Sequence, residues 1–316
     1  MKPLVSCICI TQNRRLFLHQ AIQYFFRAQH FCQLDCELII LDGSAQLNEE
    51  VATDAASEWD DVHYFHLPTT AHTRMGEFHN RACQLSRGEI IMKWDDDDWY
   101  AADRIDKQVK NLKDYRSNGM ALLFTSQYYG YHLAEKKAFR SRCWNVSLSG
   151  TMGGILAFHR TVWEQVPFQD VEQGEDAVFF EDCKKAEITM LDSVDPSLYV
   201  YIRHNQNASA HSNNLFEDHT TITVRNLLQE DIDFYDELSE ILPLSQRALP
   251  TTFGQHGAYS AHGRLRLPYG IPPQNQMRCA ICEQGDMIYI PHSIENCPRK
   301  GLPQPNVPLG NNPFKR

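Results

Sequence analysis

The sequence predicts an α/β protein with an open, doubly wound and mostly parallel sheet. Several apolar runs are continuous rather than alternating, which is typical of strands covered on both faces. Most of these runs end in a polar turn that leads into a segment with helical periodicity, and this alternation is typical of doubly wound sheets. The chain has 316 residues, 42% of them hydrophobic, so it can bury one large core.

The first strand and helix show this pattern. Residues 4–10 read LVSCICI and predict a buried parallel strand. A polar turn follows at residues 11–13, and beyond it Leu18, Ala21 and Phe25 recur at helical spacing. The unit is therefore a strand, a turn and an amphipathic helix.

Later segments repeat this unit. The sequence predicts further strands at residues 37–41, 62–67, 89–94, 120–126, 153–159 and 198–204, and helices at residues 75–86, 103–115, from about 175, and at 217–240. Thr11, Asp42 and Asp95 each fall at the carboxyl end of a predicted strand. Because such ends meet at one edge of a doubly wound sheet, we expect the three polar clusters to converge there.

The composition changes near residue 240. Eleven of the fifteen prolines lie from Pro243 onward, and proline-rich segments favour irregular structure. We therefore predict one domain over residues 1–240 and an irregular, proline-rich C-terminal appendage or lid over residues 241–316.

Composition and targeting signals argue against several classes of protein. The net charge of -10 disfavours a sequence-independent grip on nucleic acid. The first apolar run is too short for a signal peptide, and no stretch approaches the roughly 20 apolar residues of a membrane span. Seven of the ten cysteines are scattered through predicted core elements. These features predict a cytoplasmic protein without a transmembrane segment and leave peripheral membrane contact open.

The stretch KWDDDDWY, residues 93–100, places four carboxylates directly after a predicted buried strand. An isolated acidic run is usually a solvated face, but the flanking tryptophans favour burial. Buried carboxylates need raised pKa values or a cation, and hard divalent ions prefer oxygen ligands. Trp99 and Tyr100 stand where an EF-hand loop requires a ligand and a glycine. Asp95 and Asp97 instead form a D-x-D pair, which suits Mg²⁺ or Mn²⁺ bridging to a diphosphate.

Four segments in this order and spacing resemble the family 2 glycosyltransferases of GT-A type: CICITQNRRLFLHQAIQYFFRAQ, ELIILDGS, NRACQLSRGEIIMKWDDDDW and GEDAVFF. The resemblance covers roughly the first 215 residues. No segment is decisive alone, but their combination is specific. The resemblance implies a GT-A-type fold and transfer of a sugar from a nucleotide-sugar donor to a glycan or another hydroxyl acceptor.

The resemblance also implies residue roles at the donor site. The donor-binding residues would be Thr11, Asn13, Arg14, Asp42, Asn80, Asp95 and Asp96. Asp42 would accept hydrogen bonds from the base or ribose, although Thr11 and Asp42 also suit caps or turns. His79 stands where the family has an arginine before Asn80, which departs from the family pattern.

A metal site beside the donor is implied as well. Asp97 resembles the direct metal ligand, and Asp95 the residue near the ribose and a metal-bound water. Asp96 and Asp98 would support them. His204 follows the last predicted strand, where an imidazole can complete the metal shell or lie as a hydrogen-bonded surface residue. The expected cofactor is Mn²⁺ or Mg²⁺, which would stabilise the departing diphosphate.

Glu175 and Asp176 match the family's Glu-Asp pair, and Asp176 resembles the catalytic base. A carboxylate within hydrogen-bond reach of an acceptor hydroxyl assists its attack on the anomeric carbon. Direct displacement would invert the configuration. Two acidic residues are also typical of the first turn of a helix, which is the alternative. Gly153 and Gly154 would let the backbone approach the donor sugar.

The predicted appendage holds Cys279, Cys282, His292 and Cys297 in the pattern C-x2-C-x9-H-x4-C. Four such ligands suit tetrahedral Zn²⁺ in a structural knuckle, although the spacing differs from the commonest zinc templates. Reduced thiols are the alternative.

Together these observations predict a metal-dependent, inverting glycosyltransferase that uses a nucleoside-diphosphate sugar, with UDP as the expected nucleotide, in glycan or polysaccharide assembly. One alternative is a non-catalytic sugar-nucleotide or carbohydrate-binding protein on the same fold, but it predicts loss of the D-x-D pair or the base. A nucleotidyltransferase is the other. It usually carries a glycine-rich loop after its first strand, whereas this turn reads TQNRR.

Overall fold

The computed structural model describes residues 3–69, 74–114, 120–142, 153–171, 174–193, 195–204, 207, 218–242 and 288–289. The strands are β1 (Val5–Thr11), β2 (Cys36–Asp42), β3 (Val62–His66), β4 (Ile90–Lys93), β5 (Trp99–Tyr100), β6 (Ala121–Phe124), β7 (Gln127–His132), β8 (Lys137–Arg142), β9 (Ala157–His159), β10 (Thr189–Asp192), β11 (Tyr199–Arg203) and β12 (Ile288–Tyr289). The helices are α1 (Arg15–Cys32), α2 (Glu49–Ser57), α3 (Met75–Leu85), α4 (Arg104–Asp114), α5 (Arg160–Gln165), α6 (Glu175–Lys185), α7 (Asp218–Leu227) and α8 (Ile232–Ile241).

The larger sheet has the strand order β10-β6-β9-β4-β1-β2-β3-β12. β1 is parallel to β2 and β4, and the pairs β2–β3 and β6–β10 are parallel as well. β9 runs antiparallel between β4 and β6, and the two-residue β12 is antiparallel to β3. The prediction of a mostly parallel α/β sheet is thus confirmed. Because β1 has β2 on one side and β4 on the other, its carboxyl end is a switch point, where open α/β sheets form ligand crevices.

Helices cover both faces of this sheet, which explains the continuous apolar runs. In β1, Cys7 and Cys9 pack in one buried cluster with Ala21 of α1. Ile8, between them, packs in a second cluster with Phe78 of α3. A strand buried on both faces gains from an apolar side chain at every position, by roughly 25 cal/mol per Å² of apolar surface.

A second, four-stranded sheet has the order β5-β11-β7-β8 and was not predicted. β7 and β8 form an antiparallel hairpin, and the β7 sequence QYYGYH mixes polar and aromatic residues without a clear period. The strand expected at residues 198–204 belongs to this sheet as β11. Through Ile202 and His204, the end of β11 contacts the acidic residues that follow β4.

The helical pattern expected over residues 217–240 forms two helices, α7 and α8, with a break at residues 228–231. Asp231 lies in this break and accepts hydrogen bonds from Trp99 Nε1 at 2.9 Å and from Gln20 Nε2 at 3.0 Å. It also pairs with Arg27. These contacts tie α8 to α1 and β5. In the described ranges, no helix has the length and apolar character that a membrane crossing requires.

Candidate active site

The carboxyl ends of β1, β2 and β4 lie side by side at one edge of the larger sheet. Thr11 and Asp42 are paired residues at the ends of β1 and β2. Lys93 ends β4 beside β1, and the acidic block of residues 95–98 follows directly. The structure therefore brings together polar clusters that the sequence places at separate strand ends.

Three of the four carboxylates in the acidic block are buried, so the block does not form a solvated face. Asp96, Asp97 and Asp98 are 3%, 8% and 2% exposed, while the Asp95 side chain is 35% exposed. Like charges at such short range are costly in a desolvated site, so each carboxylate needs compensation. The four carboxylates have different partners.

Asp96 and Asp97 face Arg14, which precedes α1. Arg14 Nη1 donates to Asp96 Oδ1 at 2.8 Å and also to Asp97 Oδ2. The Thr11 hydroxyl donates to Asp96 Oδ2 at 2.7 Å, so Thr11 contacts the acidic block and does not cap α1. Burial raises the pKa of Asp96. Burial also acts to raise the pKa of Asp97, but Arg14 and His204 outweigh it and hold that pKa below its usual value.

His204 contacts Asp97 as well. Its Nε2 is 3.1 Å from Asp97 Oδ2, and its ring stacks on Phe17 of α1 with the centroids 4.4 Å apart. Asn207 Nδ2 lies 3.3 Å from the same oxygen. The imidazole is 1% exposed, so His204 is not a surface histidine, and burial lowers its pKa. A neutral imidazole and an ionised carboxylate are the forms that bind a divalent metal ion.

Asp98 fastens the acidic block to the smaller sheet. Its carboxylate accepts hydrogen bonds from the Tyr199 hydroxyl and, at 3.0 Å, from the Ile202 backbone N–H. Both partners belong to β11. Burial raises the pKa of Asp98. Asp98 thus anchors the acidic block to the smaller sheet. Its carboxylate is used in the packing between the two sheets.

Lys93 supplies positive charge at the other end of the block. It is 3% exposed, and its Nζ lies 3.9 Å from Asp95 Oδ1 and 3.5 Å from Glu175 Oε1. Burial acts to lower the pKa of Lys93, but the surrounding carboxylates outweigh it and raise that pKa. His79 lies 3.7 Å from Glu175, and burial with the Lys93 charge lowers its pKa to about 3. Lys93 is therefore the charged partner between the acidic block and α6.

Two glycines lie between the acidic block and Asp176. A Cβ atom at Gly154 would lie 2.8 Å from Asp95 Oδ2, and one at Gly153 would lie 1.9 Å from Asp176 Oδ2. Only glycine leaves room for these carboxylates. Asp95 and Asp176 therefore pack against consecutive residues of one backbone segment.

Asp176 lies in the first turn of α6, which begins at Glu175. Its Oδ1 accepts a hydrogen bond from the Ala177 N–H at 2.7 Å. Burial raises the pKa of Asp176, and Lys93 opposes the rise. A raised pKa makes an ionised carboxylate a stronger base. The helix start and the candidate base, which the sequence left as alternatives, thus coincide in one residue.

Asp42 is held at the end of β2 by two neighbours. Ser44 donates to Asp42 Oδ1 through its backbone N–H at 2.8 Å and through its hydroxyl, and the Tyr64 hydroxyl donates to Oδ2. The Asn13 N–H donates to Ser44 Oγ at 2.7 Å. Asn13 has a φ of 56°, in the left-handed region that asparagine tolerates. The turns after β1 and β2 are thereby joined.

Asn80 lies on α3, and its side chain is engaged in packing. Its Nδ2 donates to Phe168 O at 2.8 Å. Its Oδ1 accepts from the Trp163 indole and from the Phe168 N–H, both at 2.9 Å. These bonds use both ends of the amide and fix the segment after α5. Donor contact through Asn80 stays a prediction, and these hydrogen bonds lend it no support.

Sequence reasoning missed Lys93 and Tyr64. A lysine at the end of a continuous apolar strand was an available signal, because lysine is almost never fully buried unless it is paired. Tyr64 gave no such signal, since an aromatic residue within a buried strand is usually core. Its contact with Asp42 depends on the register between β2 and β3.

The predicted zinc ligands Cys279, Cys282, His292 and Cys297 lie outside the described residues, as does most of the predicted appendage. Within the ranges that the structure describes, no group of three or more His, Cys, Asp or Glu side chains is arranged to hold a metal ion. Asp97 Oδ2 and His204 Nε2 lie 3.1 Å apart, and metal binding by Asp95, Asp97 and His204 stays a prediction.

The strand order and the carboxylates at the carboxyl ends of β1, β2 and β4 are those of a GT-A-type fold. Residues 6–162 match the family model described as Glycosyl transferase family 2. This segment of the chain belongs to the glycosyltransferase family 2. The matched segment contains the turns after β1 and β2 and the whole acidic block.

Solved structures to which the chain is similar include two of S. aureus TarS and one of a mannosyltransferase. S. aureus TarS 1-349 in complex with UDP-GlcNAc gives a TM-score of 0.50 at 14% identity, over 76% of this chain and 70% of that chain. Another structure of S. aureus TarS 1-349 gives 0.47 at 15% identity, over 64% and 60% of the two chains. The mannosyltransferase PcManGT from Pyrobaculum calidifontis, in complex with GDP-Man and Mn²⁺, gives 0.47 at 15% identity, over 64% and 57%.

The similarity to these structures concerns the fold. The chain spans about 60% of the length of the TarS 1-349 structure in that second comparison. No curated protein sequence matches the chain.

Proposed function

We propose that the protein is a metal-dependent, inverting glycosyltransferase that moves a sugar from a UDP-linked donor to a hydroxyl acceptor. The packing of Asp95 and Asp176 against the adjacent Gly154 and Gly153 is the observation that carries this proposal. It joins a donor-side carboxylate and a candidate base at the carboxyl edge of the sheet. Transfer needs such a junction, because the departing diphosphate and the attacking hydroxyl meet at one anomeric carbon.

The donor atoms at Asp97 fit a divalent metal ion. Asp97 Oδ2 and His204 Nε2 are 3.1 Å apart, and adjacent ligands of an octahedral ion at about 2.1 Å stand about 3.0 Å from each other. Mg²⁺ and Mn²⁺ need few protein ligands, because phosphate oxygens and water complete their shell. When bound, the ion would stabilise the negative charge on the departing diphosphate.

The turns after β1 and β2 support a nucleotide site. Asp42 is oriented by Ser44 and Tyr64, so its carboxylate is positioned for a base or ribose hydroxyl before a ligand arrives. Arg14 brings a guanidinium group to the same edge, and such groups bind phosphate well. The TarS structure of similar fold holds UDP-GlcNAc, which supports UDP as the nucleotide.

We assign Asp176 the role of catalytic base for the acceptor hydroxyl. Its carboxylate would accept the proton of the acceptor hydroxyl as that oxygen attacks the anomeric carbon. Attack from the face opposite the diphosphate inverts the configuration. Lys93 holds Glu175 next to this residue, so the first turn of α6 keeps its orientation toward Gly153.

Finer expectations belong to the same proposal. They are Mn²⁺ or Mg²⁺ as the cofactor, a role in glycan or polysaccharide assembly, a cytoplasmic location, and structural Zn²⁺ in the appendage. Metal analysis of the full chain, before and after substitution of Cys279 and Cys282, tests the last of these.

Donor hydrolysis tests the function without a known acceptor. With Mn²⁺ and a panel of UDP and GDP sugars, we expect slow release of nucleoside diphosphate from at least one donor, and EDTA should stop it. If no donor is either hydrolysed or bound, the proposal is wrong.

Asp176→Asn tests the assigned base. Turnover should fall by roughly 10²–10⁴-fold, the usual contribution of general base catalysis, while the Kd of the donor stays the same. Asp182→Asn is a matched control, because Asp182 lies on the same helix and pairs with the exposed Lys185. It should keep full turnover. Unchanged turnover in Asp176→Asn would remove that residue as the base.

A further inference from the structure

Arg14 contacts Asp97, the carboxylate that the proposed function assigns to a divalent ion. Its Nη1 donates to both Asp96 and Asp97, and the Arg14 side chain is 15% exposed while the two carboxylates are 2% and 10% exposed. A guanidinium group between largely buried carboxylates forms strong charge-assisted hydrogen bonds. The acidic block therefore receives a positive charge from the chain itself.

One oxygen of Asp97 contacts three side chains in the described part of the chain. Asp97 Oδ2 accepts from Arg14, lies 3.1 Å from His204 Nε2 and lies 3.3 Å from Asn207 Nδ2. A divalent ion held by Asp97 and His204 would compete with Arg14 Nη1 for Asp97 Oδ2. Two cations repel each other strongly at contact distance in a site of low dielectric constant. The ion and the guanidinium group are thus alternative partners of Asp97.

We propose that Arg14 is an exchangeable counterion: a divalent ion displaces its guanidinium group from Asp97, and the displaced group binds the diphosphate of the donor. This inference rests on the proposed function and assigns Arg14 two partners in sequence. The exchange moves charge without making or breaking a covalent bond.

The position of Arg14 suits such an exchange. Arg14 is the N-cap residue of α1 and makes no side-chain cap hydrogen bond to that helix, so its side chain can turn without unwinding the first turn. Asn13 beside it is fixed by Ser44, which keeps the backbone in place. Asp96 remains a second anchor for the guanidinium group, and the exposed part of the side chain faces solvent, from which a donor arrives.

The exchange couples metal and nucleotide binding. A metal ion alone must remove Arg14 from a buried carboxylate, whereas a metal ion that arrives with a diphosphate offers Arg14 a new anionic partner. By thermodynamic linkage, each ligand then strengthens the binding of the other. Without Arg14, the metal ion alone should bind more tightly and the nucleotide less tightly.

Arg14→Met tests these opposite effects. We expect Mn²⁺ alone to bind roughly tenfold more tightly than to the wild type, the value of one charged hydrogen bond. UDP in saturating Mn²⁺ should bind roughly tenfold more weakly for the same reason. Electron paramagnetic resonance of free Mn²⁺ measures the first quantity, and calorimetric titration of UDP the second. Unchanged or weaker Mn²⁺ binding in Arg14→Met would overturn the inference.

Arg15→Met is the matched control. Arg15 is exposed and begins α1, so the variant removes the same formal charge next to Arg14 and keeps the contact with Asp97. It should change Mn²⁺ affinity by less than about twofold, because exposed charges are screened by solvent. An effect equal to that of Arg14→Met would show general charge attraction and overturn the exchange. Arg14→Lys keeps the charge and should lie between the wild type and Arg14→Met, which guards against a folding defect in the latter.

Asp97→Asn separates this inference from the proposed function. If Mn²⁺ binds the wild type and the binding is lost in Asp97→Asn, the metal site stands, and only the Arg14 variants decide the exchange. If neither the wild type nor Arg14→Met binds Mn²⁺, with or without UDP, both the metal-dependent function and the exchange are wrong.

Discussion

Buried carboxylates lie at both edges of the larger sheet, at the amino ends and at the carboxyl ends of its parallel strands. The two sites differ in how the negative charge is balanced. At the amino edge, Glu37 is 0% exposed. It accepts hydrogen bonds from Ser6 Oγ at 2.5 Å, from the Arg87 backbone N–H at 2.6 Å and from Arg87 Nε at 2.8 Å. Burial acts to raise its pKa, but His63, Arg87 and Ser6 outweigh it and lower the pKa to about 2. One carboxylate here has a full set of donors.

At the carboxyl edge, positive charge is in deficit. Within the described part of the chain, the four carboxylates of residues 95–98 are contacted by two cationic side chains, Arg14 and Lys93. Three of the four have raised pKa values, with burial as the largest cause. A buried acidic group with matched donors stabilises a fold, whereas a group short of positive charge is suited to a cation. Of these two sites in the described part of the chain, the carboxyl edge is the one with a surplus of negative charge.

Arg87→Met should give the largest loss of stability. Glu37 would remain charged and buried without its cation, and breaking a buried ion pair in this way costs about 3–5 kcal/mol. Denaturant unfolding measures the loss. Lys185→Met is the control, because it removes an exposed cation that pairs with Asp182, and exposed ion pairs contribute little to stability. Equal losses in the two variants would show that Glu37 does not depend on Arg87.

Acid should reduce the stabilisation that Glu37 contributes to the fold. The pKa of Glu37 is lowered from 4.5 to about 2 on folding, so its stabilisation is complete above pH 4.5 and is lost as the pH falls toward 2. The shift corresponds to about 3 kcal/mol. Glu37→Gln should therefore show a flatter dependence of unfolding free energy on pH across this window. Parallel curves for the wild type and the variant would contradict the assignment.

Lys93→Met should cost less, about 2 kcal/mol, because Nζ lies 3.5 and 3.9 Å from its partners and forms looser ion pairs. Mn²⁺ with UDP should restore part of this loss, since a divalent ion supplies positive charge to the same cluster. Arg87→Met should gain no such rescue. Thermal unfolding with and without the ligands makes the comparison, and an equal gain in both variants would show that the rescue is not local.

Trp99→Phe should have the smallest effect. The Trp99 indole donates to Asp231 at 2.9 Å, and loss of this bond should cost about 1 kcal/mol because Asp231 keeps Arg27 and Gln20. Trp59→Phe is the control, since Trp59 meets Phe26 edge to face at 5.5 Å. If Trp99→Phe loses no more unfolding free energy than the control, the hydrogen bond adds nothing to the anchoring of α8.

Much of the larger sheet could be predicted because its cause is local. Each buried strand needs apolar side chains on both faces, so β1, β2 and β4 have continuous apolar runs. The smaller sheet escaped prediction because β7 has no regular period, and because the partners of β11 are distant in sequence. Residues 217–240 show a helical pattern throughout, but the break near Asp231 is held by contacts with α1 and β5.

Local sequence pattern accounts for the strands, the turns that follow them and the chemical identity of the carboxylates. Long-range packing accounts for the partner of each carboxylate: Arg14 for Asp97, Lys93 for Asp95, and β11 for Asp98. Periodicity reports which positions are buried, because burial repeats with the geometry of a strand or helix. The residues that compensate a buried charge do not recur at a regular spacing along the sequence. It depends on which distant residues the sheet register brings within hydrogen-bond reach.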